Sequence, residues 1–167
     1  VASFSQSTNS TCPGFNVNFD ASASVQNSVQ WIFQGGNPAS SNILNPTVTY
    51  NNSGTWAVKL YVLGGACNNL DSAISQITIL SAPNPSAIAI PDTICEGQSS
   101  ILTAYNSILY SWSGQPSGLN PVTVSPVNTT TYIVNVTGSN ACTASQQVVV
   151  KVNPLPNVTV CASPSVI

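Results

Sequence analysis

Residues 54–62 read Gly-Thr-Trp-Ala-Val-Lys-Leu-Tyr-Val. Trp56, Val58, Leu60 and Val62 alternate with Ala57, Lys59 and Tyr61, so one side of an extended chain is continuously apolar. A helix would space its apolar residues by three and four instead. The same period of two recurs on both sides of this stretch. Phe15, Val17 and Phe19 alternate with Asn16 and Asn18, and Ile77 and Ile79 follow later. Ser-Ala-Pro-Asn-Pro-Ser, residues 81–86, then interrupts with two prolines and reads as a linker. Beyond it come Leu102 and Ala104, Tyr110 and Trp112, then Tyr132, Val134 and Val136, then Val148, Val150 and Val152. No helical stripe occurs anywhere, so the expected chain is all-β.

The pattern is a repeat. Cys12 leads to Trp31, Trp56 and Cys67, and Cys95 leads to Trp112, Tyr132 and Cys142. Val48 and Val124 each precede the corresponding aromatic, Trp56 or Tyr132, by the same interval. About seven short strands per unit, with a tryptophan on the third, predict tandem immunoglobulin-like β-sandwiches. The expected boundaries are 1–80 for the first domain, 81–86 for the linker and 87–153 for the second domain. Residues 154–167, which begin in a second Pro-containing linker, are expected to start a third, truncated repeat. With no signal peptide at its start, the sequence is expected to be a mature fragment of a longer protein.

Composition excludes whole classes of function. The chain has 167 residues and a net charge of -2, carried by Asp20, Lys59, Asp71, Asp92, Glu96 and Lys151, with no histidine. Two lysines cannot neutralise a phosphate backbone, so no nucleic acid is expected as a partner. No apolar run approaches the ~20 residues that span a bilayer, so no membrane insertion is expected. Without histidine, nucleophile–histidine chemistry is unavailable, and acid–base work falls to four carboxylates. Asp92 and Glu96 are the one acidic pair close in sequence, and a solvated loop explains them. No Cys-x-x-Cys spacing exists for zinc. The expectation is therefore no catalytic residue, no metal ligand, no cofactor and no enzyme. Trp31, Trp56 and Trp112 read as core, and Tyr61 and Tyr105 as isolated surface aromatics. Gly35 and Gly36, which end Trp-Ile-Phe-Gln-Gly-Gly at 31–36, read as a chain reversal.

The first unit resembles a PKD domain, an immunoglobulin-like module. Trp31, Phe33 and Gly36 match its third-strand motif, and Tyr50, Gly54, Trp56, Val58 and Leu60 match its later aromatic motif. Two aspartates of the family's first motif are replaced here by Ile32 and Gly35. The second unit resembles the immunoglobulin-like repeats that accompany PKD domains in secreted and surface proteins of Bacteroidota. The resemblance implies a non-catalytic repeat segment of an extracellular adhesin or filament stalk, exported by type IX secretion and serving gliding motility. The alternative it implies is an accessory module, spacer or carbohydrate-binding, of a secreted multidomain hydrolase. Expected partners are neighbouring repeats, further copies in a filament, and surface glycans or proteins. Asp71-Ser72-Ala73 and Asp92-Thr93-Ile94 fit the O-glycosylation pattern of that phylum, which makes Ser72 and Thr93 candidate acceptors.

Five cysteines, Cys12, Cys67, Cys95, Cys142 and Cys161, in a charge-poor chain point to an oxidising compartment. One bridge per unit, Cys12–Cys67 and Cys95–Cys142, is the simplest pairing. Strand order favours another. In an immunoglobulin-like topology Cys12 and Cys67 fall at opposite ends of a sandwich, ~20 Å apart at ~3.3 Å per residue, and a disulfide needs Cα atoms within about 7 Å. In a head-to-tail array Cys12 would reach Cys142. Cys67 would then serve a preceding unit, and Cys95 a following one or Cys161. Lys59 and Lys151 are expected to be the only charges protecting sheet edges.

Overall fold

A computed structural model describes residues 1–24, 28–64 and 69–157. The chain forms two compact units. One comprises Val1–Ala82 together with Asn140–Cys142, and the other Pro83–Ser139 together with the chain from Thr143 onward.

Unit 1 places the alternating stretches in two facing sheets. Its strands are β1 (Ser5–Gln6), β2 (Ser10–Thr11), β3 (Asn16–Asp20), β4 (Ser28–Phe33), β5 (Gly36–Asn37), β6 (Ser40–Ser41), β7 (Thr47–Tyr50), β8 (Gly54–Gly64) and β9 (Asn69–Ile79). The sheet orders are β1-β3-β7-β5 and β2-β9-β8-β4-β6. The first strand of the sandwich is divided between the sheets, since β1 pairs antiparallel with β3 while β2 pairs parallel with β9. Between the sheets lie Val17, Phe19, Trp31, Phe33, Val48, Tyr50, Val58, Leu60, Val62, Ile77 and Ile79. Each such side chain contributes about 1.5–3 kcal/mol by leaving water. Trp31 stacks on Phe33 at 5.5 Å between ring centroids and meets Phe4 edge-on at 5.0 Å.

Unit 2 repeats the plan with β10 (Ser86–Ile90), β11 (Thr93–Cys95), β12 (Ser100–Tyr105), β13 (Leu109–Trp112), β14 (Val122–Val124), β15 (Thr130–Thr137) and β16 (Thr143–Asn153). Its sheets run β10-β12-β14 and β11-β16-β15-β13. The divided first strand recurs, with β10 antiparallel to β12 and β11 parallel to β16. Leu102, Ala104, Trp112, Val122, Val124, Tyr132, Val134, Val136 and Val150 fill this core. The architecture is all-β, in tandem immunoglobulin-like sandwiches.

Several expectations change on contact with the sheets. Lys59 and Lys151 do not guard edges. β8 lies between β9 and β4, and β16 lies between β11 and β15, so both lysines sit on interior strands. Lys59 pairs with Ile32 on one side and Ile74 on the other, both exposed, so its charge lies between two isoleucines on the sheet's outer face. Phe15 precedes β3 and is 61% exposed. Trp56 is half-buried and packs against the core from outside it. The three residues Asn140–Cys142, expected in the second domain, cluster with unit 1. Residues 154–157 form no strand, and 158–167, the rest of the expected third repeat, lie outside the described residues.

Candidate functional site

Of the two pairings open to Cys12, the one that strand order favours is formed. Cys12 and Cys142, 130 residues apart in sequence, form a disulfide with Cα atoms 5.5 Å apart. Cys12 immediately follows β2, the part of the first strand that pairs parallel with β9. Cys142 immediately precedes β16, in the connection from β15. Asn140 shapes that connection. Its Oδ1 accepts the Cys142 backbone N–H at 3.1 Å, and its Nδ2 donates to the Ser81 carbonyl at 2.8 Å. Between them Ala141 adopts φ 63°, a left-handed conformation that costs a Cβ-bearing residue roughly 1–2 kcal/mol. Cys142 itself is buried. The bond and both flanking hydrogen bonds therefore hold a locally unfavourable backbone.

Closing this bond puts all of the chain from Cys12 to Cys142 inside one covalent ring. Tension entering at one end passes from residue 12 across the sulfurs to residue 142. The intervening chain carries none of it in series. Of the other cysteines, Cys95 is exposed and has no disulfide partner among the described residues. Cys67 and Cys161 lie outside the described residues, so the pairing Cys95–Cys161 falls there too.

The remaining candidates separate cleanly. Ser72 and Thr93 are both exposed. Asp71 is a strand residue of β9, where a turn would be the usual home of an Asp-Ser pair. The Ala2 and Ser72 backbone N–H groups donate to its carboxylate, each at 2.8 Å, and hold its pKa below the usual value. Asp92 and Glu96 flank β11 and are exposed, and the Asp92 carbonyl accepts the Lys151 N–H at 2.8 Å. No group of three or more His, Cys, Asp or Glu side chains suited to a metal ion occurs among the described residues. Trp31 and Trp112 are buried and present no stacking face, while Tyr105 is 46% exposed and Tyr61 half-buried.

Unit 2 carries a groove of about 400 Å³ lined by residues such as Leu109, Ser111, Ser117, Asn135 and Thr137. Tyr110 is its one phenol, and the Oη is already engaged. It donates to the Ser107 carbonyl at 2.7 Å and accepts the Ser107 N–H at 3.2 Å. The rest of the lining is neutral, made of hydroxyl, amide and aliphatic side chains.

Gly35 and Gly36 prove to be packing residues as well as a turn. A Cβ on Gly35, at φ 69°, would lie 2.6 Å from the Trp56 ring, and one on Gly36 would lie 2.6 Å from Val48 Cγ1. No local sequence signal marks this, because Trp56 stands on β8, three strands further along the chain, and only the fold brings its indole over Gly35.

No protein-family model and no curated protein matches this chain by sequence. Among solved structures it is similar to an amphioxus IgVJ-C2 molecule, at 11% identity and a TM-score of 0.37, covering 85% of this chain and 99% of that one. It is also similar to the fibronectin(III)-like modules of Clostridium thermocellum CbhA, at 9% identity and a TM-score of 0.36, over 96% and 100% of the two chains. For murine CEACAM1b the values are 12% and 0.34, over 93% and 100%. Similarity at this level adds nothing to what the sheets themselves display.

Proposed function

We propose that this chain is a non-catalytic structural segment of an extracellular repeat protein, an adhesin or filament stalk, and that it serves to carry tension. The disulfide Cys12–Cys142 carries this reading, because it removes most of the chain from the path of an applied force. A bond of this kind persists in an oxidising compartment, which supports an extracellular location. The two-sandwich architecture and the uncharged groove support a spacer in preference to a reaction centre. The PKD-type motifs around Trp31 and Trp56 support a parent among surface proteins of the gliding and type IX secretion kind. Ser72 and Thr93, both exposed, are available for O-glycans, which would hydrate a surface that has few charges. Neighbouring repeats are the primary partners, with self-association through neutral sheet edges and contact with surface glycans or proteins as further ones.

Protease shaving of intact cells that produce the protein tests this reading. The expected result is release of its peptides without lysis, with Cys12 and Cys142 joined in the non-reducing digest. Recovery only from lysate, with both cysteines open to alkylation, would overturn it.

A further inference from the structure

Cys95 occupies the position in unit 2 that Cys12 occupies in unit 1. The ladder hydrogen bonds fix the correspondence. In unit 1 the Thr78 N–H donates to the Asn9 carbonyl at 3.0 Å, and in unit 2 the Lys151 N–H donates to the Asp92 carbonyl at 2.8 Å. Three residues after Asn9 stands Cys12, and three residues after Asp92 stands Cys95. Each cysteine ends or directly follows a short strand parallel to the last strand of its own unit. Each opens a turn whose third residue is a left-handed glycine. In Cys12-Pro13-Gly14 the glycine has φ 82°, and in Cys95-Glu96-Gly97 it has φ 87°. These are the only two parallel pairings among the described strands.

The two equivalent cysteines differ in one respect. Cys12 is bonded to a cysteine from the connection between the last two strands of the following repeat, whereas Cys95 is exposed and unpaired among the described residues. From this equivalence we infer that Cys95 forms the next bond of the same series. Its partner is a cysteine in the connection between the last two strands of another sandwich unit of this plan. Each unit then gives one cysteine after its divided first strand and accepts one at its last hairpin. The inference rests on the proposed extracellular repeat function for its oxidising setting and for the further unit that supplies the partner cysteine.

The chemistry is thiol–disulfide exchange with a small-molecule disulfide. The Cys95 thiolate attacks that disulfide, forming a mixed disulfide and releasing one thiol. The partner thiolate then attacks the Cys95 sulfur and releases the second thiol. Two electrons pass to the small disulfide, and its two sulfurs leave with the two protons.

The chain itself supplies a probe. Cys67 stands between β8 and β9 in sequence, as Cys142 stands between β15 and β16. Two full-length variants are mixed in a glutathione redox buffer. One carries Cys67→Ser and Cys161→Ser and offers Cys95; the other carries Cys95→Ser and Cys161→Ser and offers Cys67. The expected result is a one-to-one product, formed by neither variant alone, whose non-reducing digest joins Cys95 to Cys67. If Cys95 ends as a glutathione adduct with no such product, the inference fails. It fails equally if the unaltered chain joins Cys95 to Cys161 internally. The Cys12–Cys142 peptide is read in the same digest, so loss of the proposed function would register separately.

Discussion

Gly35 lies directly beneath the indole of Trp56, so close that a Cβ there would sit 2.6 Å from two ring carbons. The half-buried Trp56 is held in place by its own Nε1–H, which donates to the Asn52 carbonyl at 3.0 Å. Gly35→Ala must therefore displace a tethered ring and also occupy φ 69°. Overpacking costs typically 1–3 kcal/mol and the left-handed backbone roughly 1–2 kcal/mol, so a loss of roughly 2–5 kcal/mol is expected in urea unfolding. Gly114 isolates the second contribution, because it has the same φ of 69° and a Cβ added there would meet nothing within 4 Å. Gly114→Ala should cost only the backbone contribution, roughly 1–2 kcal/mol. Equal losses in the two variants would show that Trp56 does not cover Gly35.

The two core tryptophans should respond differently to the same change. Trp31 Nε1 donates to the Ile43 carbonyl at 3.0 Å, whereas Trp112 Nε1 has no partner among the described residues. Substitution by phenylalanine removes similar volume from both sites. At Trp31 it also removes a hydrogen bond, an additional loss of about 1 kcal/mol. Denaturation monitored separately for each unit should find Trp31→Phe the more damaging, and the reverse order would count against the assigned bonding.

Ala141 offers a stabilising change. Its φ of 63° suits glycine, so Ala141→Gly relieves local strain while raising the entropy of the unfolded chain. A net gain of about 0.5–1 kcal/mol is expected, read as a higher melting temperature with Cys12–Cys142 intact. A lower melting temperature would contradict the left-handed assignment.

Stability should be level through neutral pH and fall at both extremes. The absence of histidine removes the group that ordinarily titrates there. Asp71 is held below its ordinary pKa by the Ala2 and Ser72 N–H groups, and Asp20 by the Ser22 hydroxyl and N–H. A depressed carboxylate stabilises the fold above its unfolded pKa, and that contribution disappears as pH falls through the folded value. Tyr50 acts in the opposite direction. Burial pushes its phenol from 10.0 to about 12, so its contribution is complete below pH 10 and disappears as pH rises toward 12. Melting temperatures from pH 2 to 12, with tyrosinate absorbance followed in parallel, check this. A marked change in stability between pH 6 and 8 would contradict it.

Much of the fold was legible because the alternation around Trp56 to Val62 and Tyr132 to Val136 is a direct record of which face is buried. The disulfide partner of Cys12 was legible for a related reason, since strand direction decides which hairpins lie within reach of a given turn. The edge role given to Lys59 and Lys151 was not, because neither lysine's local sequence distinguishes an interior strand from an edge. That distinction is made by pairing with residues far away, Ile32 and Ile74 in the case of Lys59. Asp71 likewise reads as a turn residue until Ala2, distant in sequence, donates to it from across the fold. The unfavourable backbone of Ala141 has no sequence signature at all, since nothing about alanine announces a left-handed conformation.

Single-molecule stretching between the two chain ends tests the tension-carrying role most directly. With Cys12–Cys142 intact, full unfolding should leave the 130-residue separation between them out of the extended length. At ~3.4 Å per residue, the oxidised chain should stretch about 440 Å less than the same chain after reduction or with Cys142→Ser. Equal extended lengths in the oxidised and reduced states would contradict the account, because force would then run through the chain that the bond is held to protect.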